Sequence, residues 1–159
     1  MKIENSFAVD APPDAVFAFL LDAHQVVGCV PGAELVELID LQTFRGKLKI
    51  KVGPVQVAYE GTAHILDVVE DDNAATVTVS ADGREIGGQG AVKASVALTI
   101  AASGAAGSTV SIDTDFTVTG RVAQFGRGAI EDISRRLIGQ MAEAMGSRLQ
   151  QSQAAERSA

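Results

Sequence analysis

The sequence predicts an α+β domain in which an antiparallel sheet of about seven strands curves around one long C-terminal helix, with two short helices after the first strand. Three observations predict it. Apolar and polar residues alternate through most of the central region, as they do in strands with one wet face. The connections between these strands are short and rich in Gly, Asp, Ser and Pro, which favours antiparallel neighbours over long crossovers. Near residue 124 the apolar spacing changes to three and four, so a helix with one buried stripe follows the strands.

The first strand is read over Lys2–Val9, where Ile3, Asn5, Phe7 and Val9 share a face. In "DAPPDAVFAFLLDAHQVVGCVPG", Asp10 or a close neighbour caps a short helix over Ala15–Leu21. A second helical turn covers His24–Gly28 and stops at Pro31-Gly32. About six strands then follow. Phe44, Gly46, Leu48, Ile50 and Val52 face one way and Arg45, Lys47, Lys49 and Lys51 the other. Val55, Val57, Tyr59, Gly61, Ala63 and Ile65 face inward on the next strand, after the Gly53-Pro54 turn. "EDDNA" turns into "ATVTVSA", and "DGREIGGQG" is read as the next connection. Val92, Ala94, Val96, Leu98 and Ile100 form one more inward row; after "SGAAGS", Val110, Ile112, Thr114, Phe116 and Val118 form the last. The long helix spans about Gln124–Gln150, with Ile130, Ile133, Leu137, Met141, Met145 and Leu149 as its stripe. Residues 1–150 therefore make one domain, and the polar 151–159 segment is expected to be a disordered tail.

Composition narrows the function. The 159 residues carry a formal charge of −7, and such a field repels a polyanion, so nucleic acid is not an expected partner. One cysteine, Cys29, leaves neither an internal disulfide nor a cysteine zinc site, which fits a reducing cytoplasm. "MKIENSFAVD" lacks the apolar run of a signal peptide, and no later run has membrane-spanning length.

The stretch "GRVAQFGRGAI" has the glycines of a phosphate cradle, but it lacks that motif's context. The strand before it alternates, no strand follows the helix, and no Lys-Ser/Thr comes after the glycines. Its glycines are expected to serve close packing, with Arg121 and Arg127 solvated or paired with nearby acids. The chain is 47% hydrophobic but only 4% aromatic, with no Trp and one Tyr. Gly46, Gly61, Ala63, Ala81, Ala94 and Gly120 all take inward positions, so a curled sheet gripping a helix is short of side-chain volume. A hollow lined by aliphatic groups, with Tyr59, Thr114 and Cys29 as polar points, would suit a flat or chain-like apolar molecule.

Catalytic constellations are not evident. His24 and Cys29 lack an orienting carboxylate beyond Asp22, and Glu60 and His64 share a wet strand face. The remaining carboxylates lie in turns or on wet faces, where nothing shifts their pKa values toward acid–base work. No enzyme activity and no metal are expected.

With these residues in view, "CVPGAELVE", "FRGKLKIKVGPVQVAYEG", "ADGREIGGQGAVKA" and "DFTVTGRVAQFGRGAIEDIS" together resemble the CoxG family of carbon monoxide dehydrogenase. That family is part of the Bet v 1-like, START-related helix-grip (SRPBCC) superfamily. The resemblance covers residues 1–150 and implies a helix-grip fold with an internal apolar pocket. It implies an accessory protein of CO dehydrogenase or a related molybdenum hydroxylase, cytoplasmic and peripheral at the inner face of the cell membrane. Such a protein would link the enzyme to the respiratory quinone pool by binding a quinone such as menaquinone, with no covalent cofactor. On that basis an isoprenoid tail is expected along Leu48, Ile50, Val77, Val79, Val118, Ile133, Leu137 and Met141. Phe116, Phe125 and Tyr59 are expected around the ring. The alternatives are a recruitment adaptor without ligand, docking through the "GKLKIK" face, and a cyclase-like helix-grip enzyme.

Overall fold

The alternation in Lys2–Val9 forms strand β1 with the bounds that the pattern predicts. In the computed structural model the chain continues through α1 (Pro13–Leu20), α2 (Ala23–Cys29), β2 (Ala33–Asp40), β3 (Thr43–Val52) and β4 (Val55–Glu70). It ends with β5 (Ala74–Glu85), β6 (Ala91–Ser103), β7 (Gly107–Val118), a 3-10 turn (Val122–Phe125) and α3 (Gly126–Ser158). All residues are described except Asp72, Asn73, Ala105 and Ala159, and the side chains of 153–159 also lie outside the description. The "EDDNA" and "SGAAGS" turns fall partly on those undescribed positions.

The seven strands form one antiparallel sheet in the order β1-β7-β6-β5-β4-β3-β2. Short hairpins join β2 through β7 in sequence order, while α1 and α2 carry the chain from β1 to the opposite edge. The strand not resolved individually by alternation is β2. "AELVELID" alternates poorly, and its pairing with β3 shifts register between Leu35 and Glu37 and again between Leu38 and Asp40. "DGRE" is strand rather than connection: Gly61 pairs with Gly83, Glu60 with Arg84 and Tyr59 with Glu85, so the ladder to β4 overrides the turn signal of Asp-Gly.

Both short helices start by different means. Pro12 is the N-cap of α1 and makes no side-chain capping bond; Pro13 supplies the fixed φ suited to the first helical position. Asp10 is not the cap. In α2 the Asp22 carboxylate accepts from the His24 and Gln25 amides at 3.1 and 3.4 Å. Buried Ser108 donates to the Ala11 carbonyl at 2.6 Å and ties the β1–α1 link to β7.

The long helix begins at Gly126, after a 3-10 turn that the helical spacing does not reveal, and runs to Ser158, past the expected end at Gln150. Met141, Met145 and Leu149 from α3 join Val9, Val16, Phe19, Ile100, Val110 and Ile112 in the main core. A smaller core gathers Ile3, Val57, Tyr59, Val122 and Ile130 near the start of α3. The helix therefore packs chiefly on the β1, β7 and β6 side of the concave face and reaches β3 and β4 only near Ile50 and Tyr59. The floor around Gly46, Gly61 and Gly83 is left to α2.

Candidate functional site: an apolar cavity

Three adjacent strands place their smallest residues side by side. Gly46 of β3 pairs with Gly61 of β4, Gly61 pairs with Gly83 of β5, and Ala63 pairs with Ala81. Where larger side chains would rise from the concave face, almost nothing does. Across from this floor, α2 presents Val26, Val27 and Val30. The space between is a cavity of about 510 Å³, within the range of small-molecule sites. Leu48, Phe44, Val92 and Val96 complete an apolar lining, and Glu34, Lys47 and Asp82 stand at exposed positions around it.

Close backbone approach dictates part of the floor. A Cβ on Gly61 would stand 2.1 Å from the Asp82 carbonyl oxygen, and one on Gly46 would stand 2.9 Å from that of Glu34. Gly83 is different. A Cβ there meets only ordinary contacts, the nearest at 3.5 Å, so its smallness leaves room that the backbone does not demand.

A second chamber of about 120 Å³ lies where β6 and β7 meet the start of α3. Phe116, Val118, Val122, Ile130, Ile133 and Leu137 line it. Ile50, Tyr59 and Val92 belong to the walls of both spaces.

Tyr59 is the polar feature of this shared wall. It is only 6% exposed, and its hydroxyl has no hydrogen-bond partner. Burial holds the phenol above its ordinary pKa, the nearby Glu85 carboxylate adds in the same direction, and Arg121 opposes both. The group therefore stays a neutral O–H donor at physiological pH. Leaving such a donor unsatisfied costs about 1–3 kcal/mol, which a ligand oxygen would recover.

Beside Tyr59, Glu85 is buried with its side chain 2% exposed. Arg121 donates to its Oε1 through Nε at 2.8 Å and Nη2 at 2.5 Å, and the Gly90 amide donates to Oε2 at 3.2 Å. A buried carboxylate needs such partners, and removing one would cost about 2–3 kcal/mol here because the arginine's side is open to water. Gly88, Gly90 and Gly120 make room for this carboxylate: a Cβ on Gly88 would lie 2.5 Å from its Cδ. Arg121 thus pairs with an acid from β5, while Arg127 pairs with Glu131 on its own helix. Of the glycines in "GRVAQFGRGAI" only Gly120 is in close contact, against Gly90; Gly126 and Gly128 face open space, so they do not serve the close packing expected of them.

The structure brings together Leu48, Ile50, Tyr59, Phe116, Val118, Ile133 and Leu137 on the walls of the two spaces. Four expected residues line neither. Val77 is 1% exposed within the sheet, and Val79 follows it on β5 short of Ala81; only the Ala81–Gly83 end of that strand faces the cavity. Phe125 sits 38% exposed in the 3-10 turn, and Val122 takes the inward position instead. Met141 packs in the main core with Met145. Nor do two of the expected polar points reach the cavity: Cys29 is buried in the main core, and Thr114 is not on either wall. The residues missed by sequence reasoning are chiefly Val26, Val27 and Val30. Their signal was the apolar "VVGCV" just before Pro31.

The sequence matches the family model of CoxG, a carbon monoxide dehydrogenase component, over residues 6–150. No curated protein matches it. Among solved structures, it superposes on a conserved protein from Geobacillus kaustophilus with a TM-score of 0.81 at 18% identity, covering 96% of this chain and 97% of that one. A START superfamily protein from Mycobacterium smegmatis gives 0.65 at 12% identity, covering 94% and 97%. The Zhui aromatase/cyclase from Streptomyces sp. R1128 gives 0.62 at 14% identity, covering 94% and 93%. At these identities the structures establish the fold, a START-like helix grip. The sequence match establishes more: this chain belongs to the CoxG family of carbon monoxide dehydrogenase.

Proposed function

We propose that the chain is a non-catalytic carrier that binds a quinone such as menaquinone and links a CO dehydrogenase to the quinone pool at the inner face of the cell membrane. The observation that carries this reading is an apolar cavity with Tyr59 on its wall, a side chain whose buried hydroxyl has no partner. Flat apolar rings with a carbonyl oxygen match that chemistry. The ring would stand in the larger cavity against Tyr59, with its oxygen accepting from the phenol once that side chain turns toward it. The cavity has room for a ring and the first isoprene units, and the rest of a long tail would leave by the open side. Burying about 200 Å² of apolar surface would contribute about 5 kcal/mol, so the tail dominates affinity and the hydroxyl sets orientation. Among the described residues no helix is long and apolar enough to cross a membrane, so membrane contact in this reading is peripheral.

Carrying fits better than turnover. The Zhui neighbour is an aromatase/cyclase by name, but Tyr59 is the one buried titratable side chain among the lining residues described, and the Glu85 carboxylate is occupied by Arg121. An acid–base pair poised on a substrate would need a second free group.

Native mass spectrometry and solvent extraction of protein from a quinone-producing host test the carrier. A co-purifying quinone, or stoichiometric uptake of added menaquinone, is the expected result. Absence of both removes the proposal.

A second reading, an adaptor that docks the enzyme without cargo, has its own support. Leu38, Ile39, Leu41, Leu66 and Val69 are large and exposed, Leu41 by 90%. The Ile65 amide donates to the Gln42 carbonyl at 2.8 Å, which sets Leu41 beside Leu66. Such a patch is typical of docking faces. Under the adaptor reading Leu41→Asp abolishes enzyme recruitment while cavity-filling variants do not.

A further inference from the structure

A separate cleft of about 570 Å³ lies between the α2–β2 link, the β3–β4 turn and the middle of α3. Its chemistry is the reverse of the main cavity's. Lys49, Lys51 and Arg136 line it together with the amides of Gln56 and Gln140. Among the described residues none of these three cations pairs with a carboxylate. The acid nearest to Arg136 in sequence on α3, Asp132, is taken by Arg135 at 3.2 Å. Across the sheet Lys49 and Lys51 face Ala58 and Gln56, so no cross-strand acid neutralises them. Arg136 is held in place, its Nη2 donating to the Lys51 carbonyl at 3.2 Å, which leaves its other N–H groups free. Three cations without a carboxylate partner among the described residues border one concave space on a chain of net charge −7. The floor of that space is apolar: Ile50, Ile133 and Leu137 also wall the smaller chamber.

We propose that this cleft binds the phosphate-class head group of an anionic amphiphile, whose apolar portion passes between Ile50 and Leu137 toward the chamber. Each part of the cleft has a role in this. A planar guanidinium would pair with a tetrahedral anion, the two long lysine side chains would reach it from the edge of β3, and side-chain amides would complete its hydrogen bonds. The concavity favours a compact head group over the flat face of an acidic protein. The head-group cleft does not depend on the quinone reading, because it recognises a charge that quinones lack, although the apolar portion would approach the chamber whose walls include Tyr59.

Calorimetric titration of decyl phosphate, decanol and inorganic phosphate, each below any micelle threshold, tests it. Decyl phosphate is expected to bind about tenfold or more tighter than decanol, and the margin should shrink as salt rises. The triple variant Lys49→Gln, Lys51→Gln, Arg136→Gln should bind the two alike, with its thermal midpoint confirming the fold. Equal binding by the native protein, or an unchanged margin in the triple variant, overturns the site. Inorganic phosphate binding as tightly as decyl phosphate overturns the amphiphile assignment. Menaquinone uptake by the triple variant is read separately, so failure of the anion site and failure of the carrier give different patterns.

Discussion

Tyr59 and Glu85 are direct cross-strand partners on β4 and β5, yet the carboxylate turns to Arg121 and the phenol is left without a partner. The adjacent pair divides its roles: one member is locked by the protein, and the other keeps an unused donor, which the carrier reading assigns to a guest. Tyr59→Phe is therefore expected to leave the fold intact or slightly stabilised. It should weaken menaquinone binding about three- to tenfold, the worth of one neutral hydrogen bond, and leave binding of an alkane-like dye unchanged. Parallel fluorescence titrations of both guests on the two proteins measure this. Equal losses for both would show that the hydroxyl is not the recognition element.

The floor of the cavity separates glycines that the backbone needs from one that it does not. Gly83→Val should fill the cavity, abolish uptake of bulky guests and leave the thermal midpoint unchanged or raised. Gly61→Ala should destabilise by about 2 kcal/mol, because its Cβ would collide with the Asp82 carbonyl rather than enter the hollow. Urea unfolding and guest uptake, measured together on both variants, distinguish the two effects.

Arg148 of α3 holds the wall of the cavity in place. Its Nη1 donates to the Gln25 side chain at 2.9 Å and its Nη2 to the Gly28 carbonyl at 3.3 Å, so one guanidinium grips the last turn of α2. A Cβ on Gly28 would stand 2.7 Å from that guanidinium and displace it from this grip. Arg148→Ala should loosen α2 and expose Cys29, now 3% exposed, raising its alkylation rate several-fold without global unfolding. Thiol labelling under native conditions, with the thermal midpoint as control, reads this directly.

Stability should fall on the alkaline side. Burial raises the Cys29 thiol, with Arg148 opposing, and burial raises the Tyr59 phenol. A group whose folded pKa lies above its unfolded one binds its proton more tightly when folded. Its contribution is complete below the unfolded pKa and is lost as pH rises through the folded value. The loss should thus begin above about pH 8.5 for the thiol and about pH 10 for the phenol. The chain holds one Cys and one Tyr, so Cys29→Ala with Tyr59→Phe should flatten urea midpoints between neutrality and alkaline pH.

Much of this architecture was legible in the residues, because alternation is a local signal. The bounds of β1, the inward rows of β3, β4, β6 and β7, and the stripe ending in Leu149 all follow from spacing that neighbouring strands reinforce. What spacing cannot express is partnership at a distance. Glu85 reads as part of a polar loop because Arg121, which makes its burial tolerable, lies on another element. Phe125 and Met141 fit the helical period, but a 3-10 turn and the main core claim them instead. The small residues correctly implied a hollow, while which helix roofs it depended on how far α3 leans toward β1. No periodicity encodes that lean.

The leaning of α3 toward β1 divides the molecule into a keel and a hatch. The keel, made by α3 with β1, β6 and β7, carries most of the packed aliphatic ballast and can stay rigid. The hatch is a helix of seven residues, gripped by one guanidinium and seated on the keel through Cys29. In the carrier reading, cargo would pass by lifting the hatch, and the lift would draw Cys29, with Val26 and Val30, away from the keel.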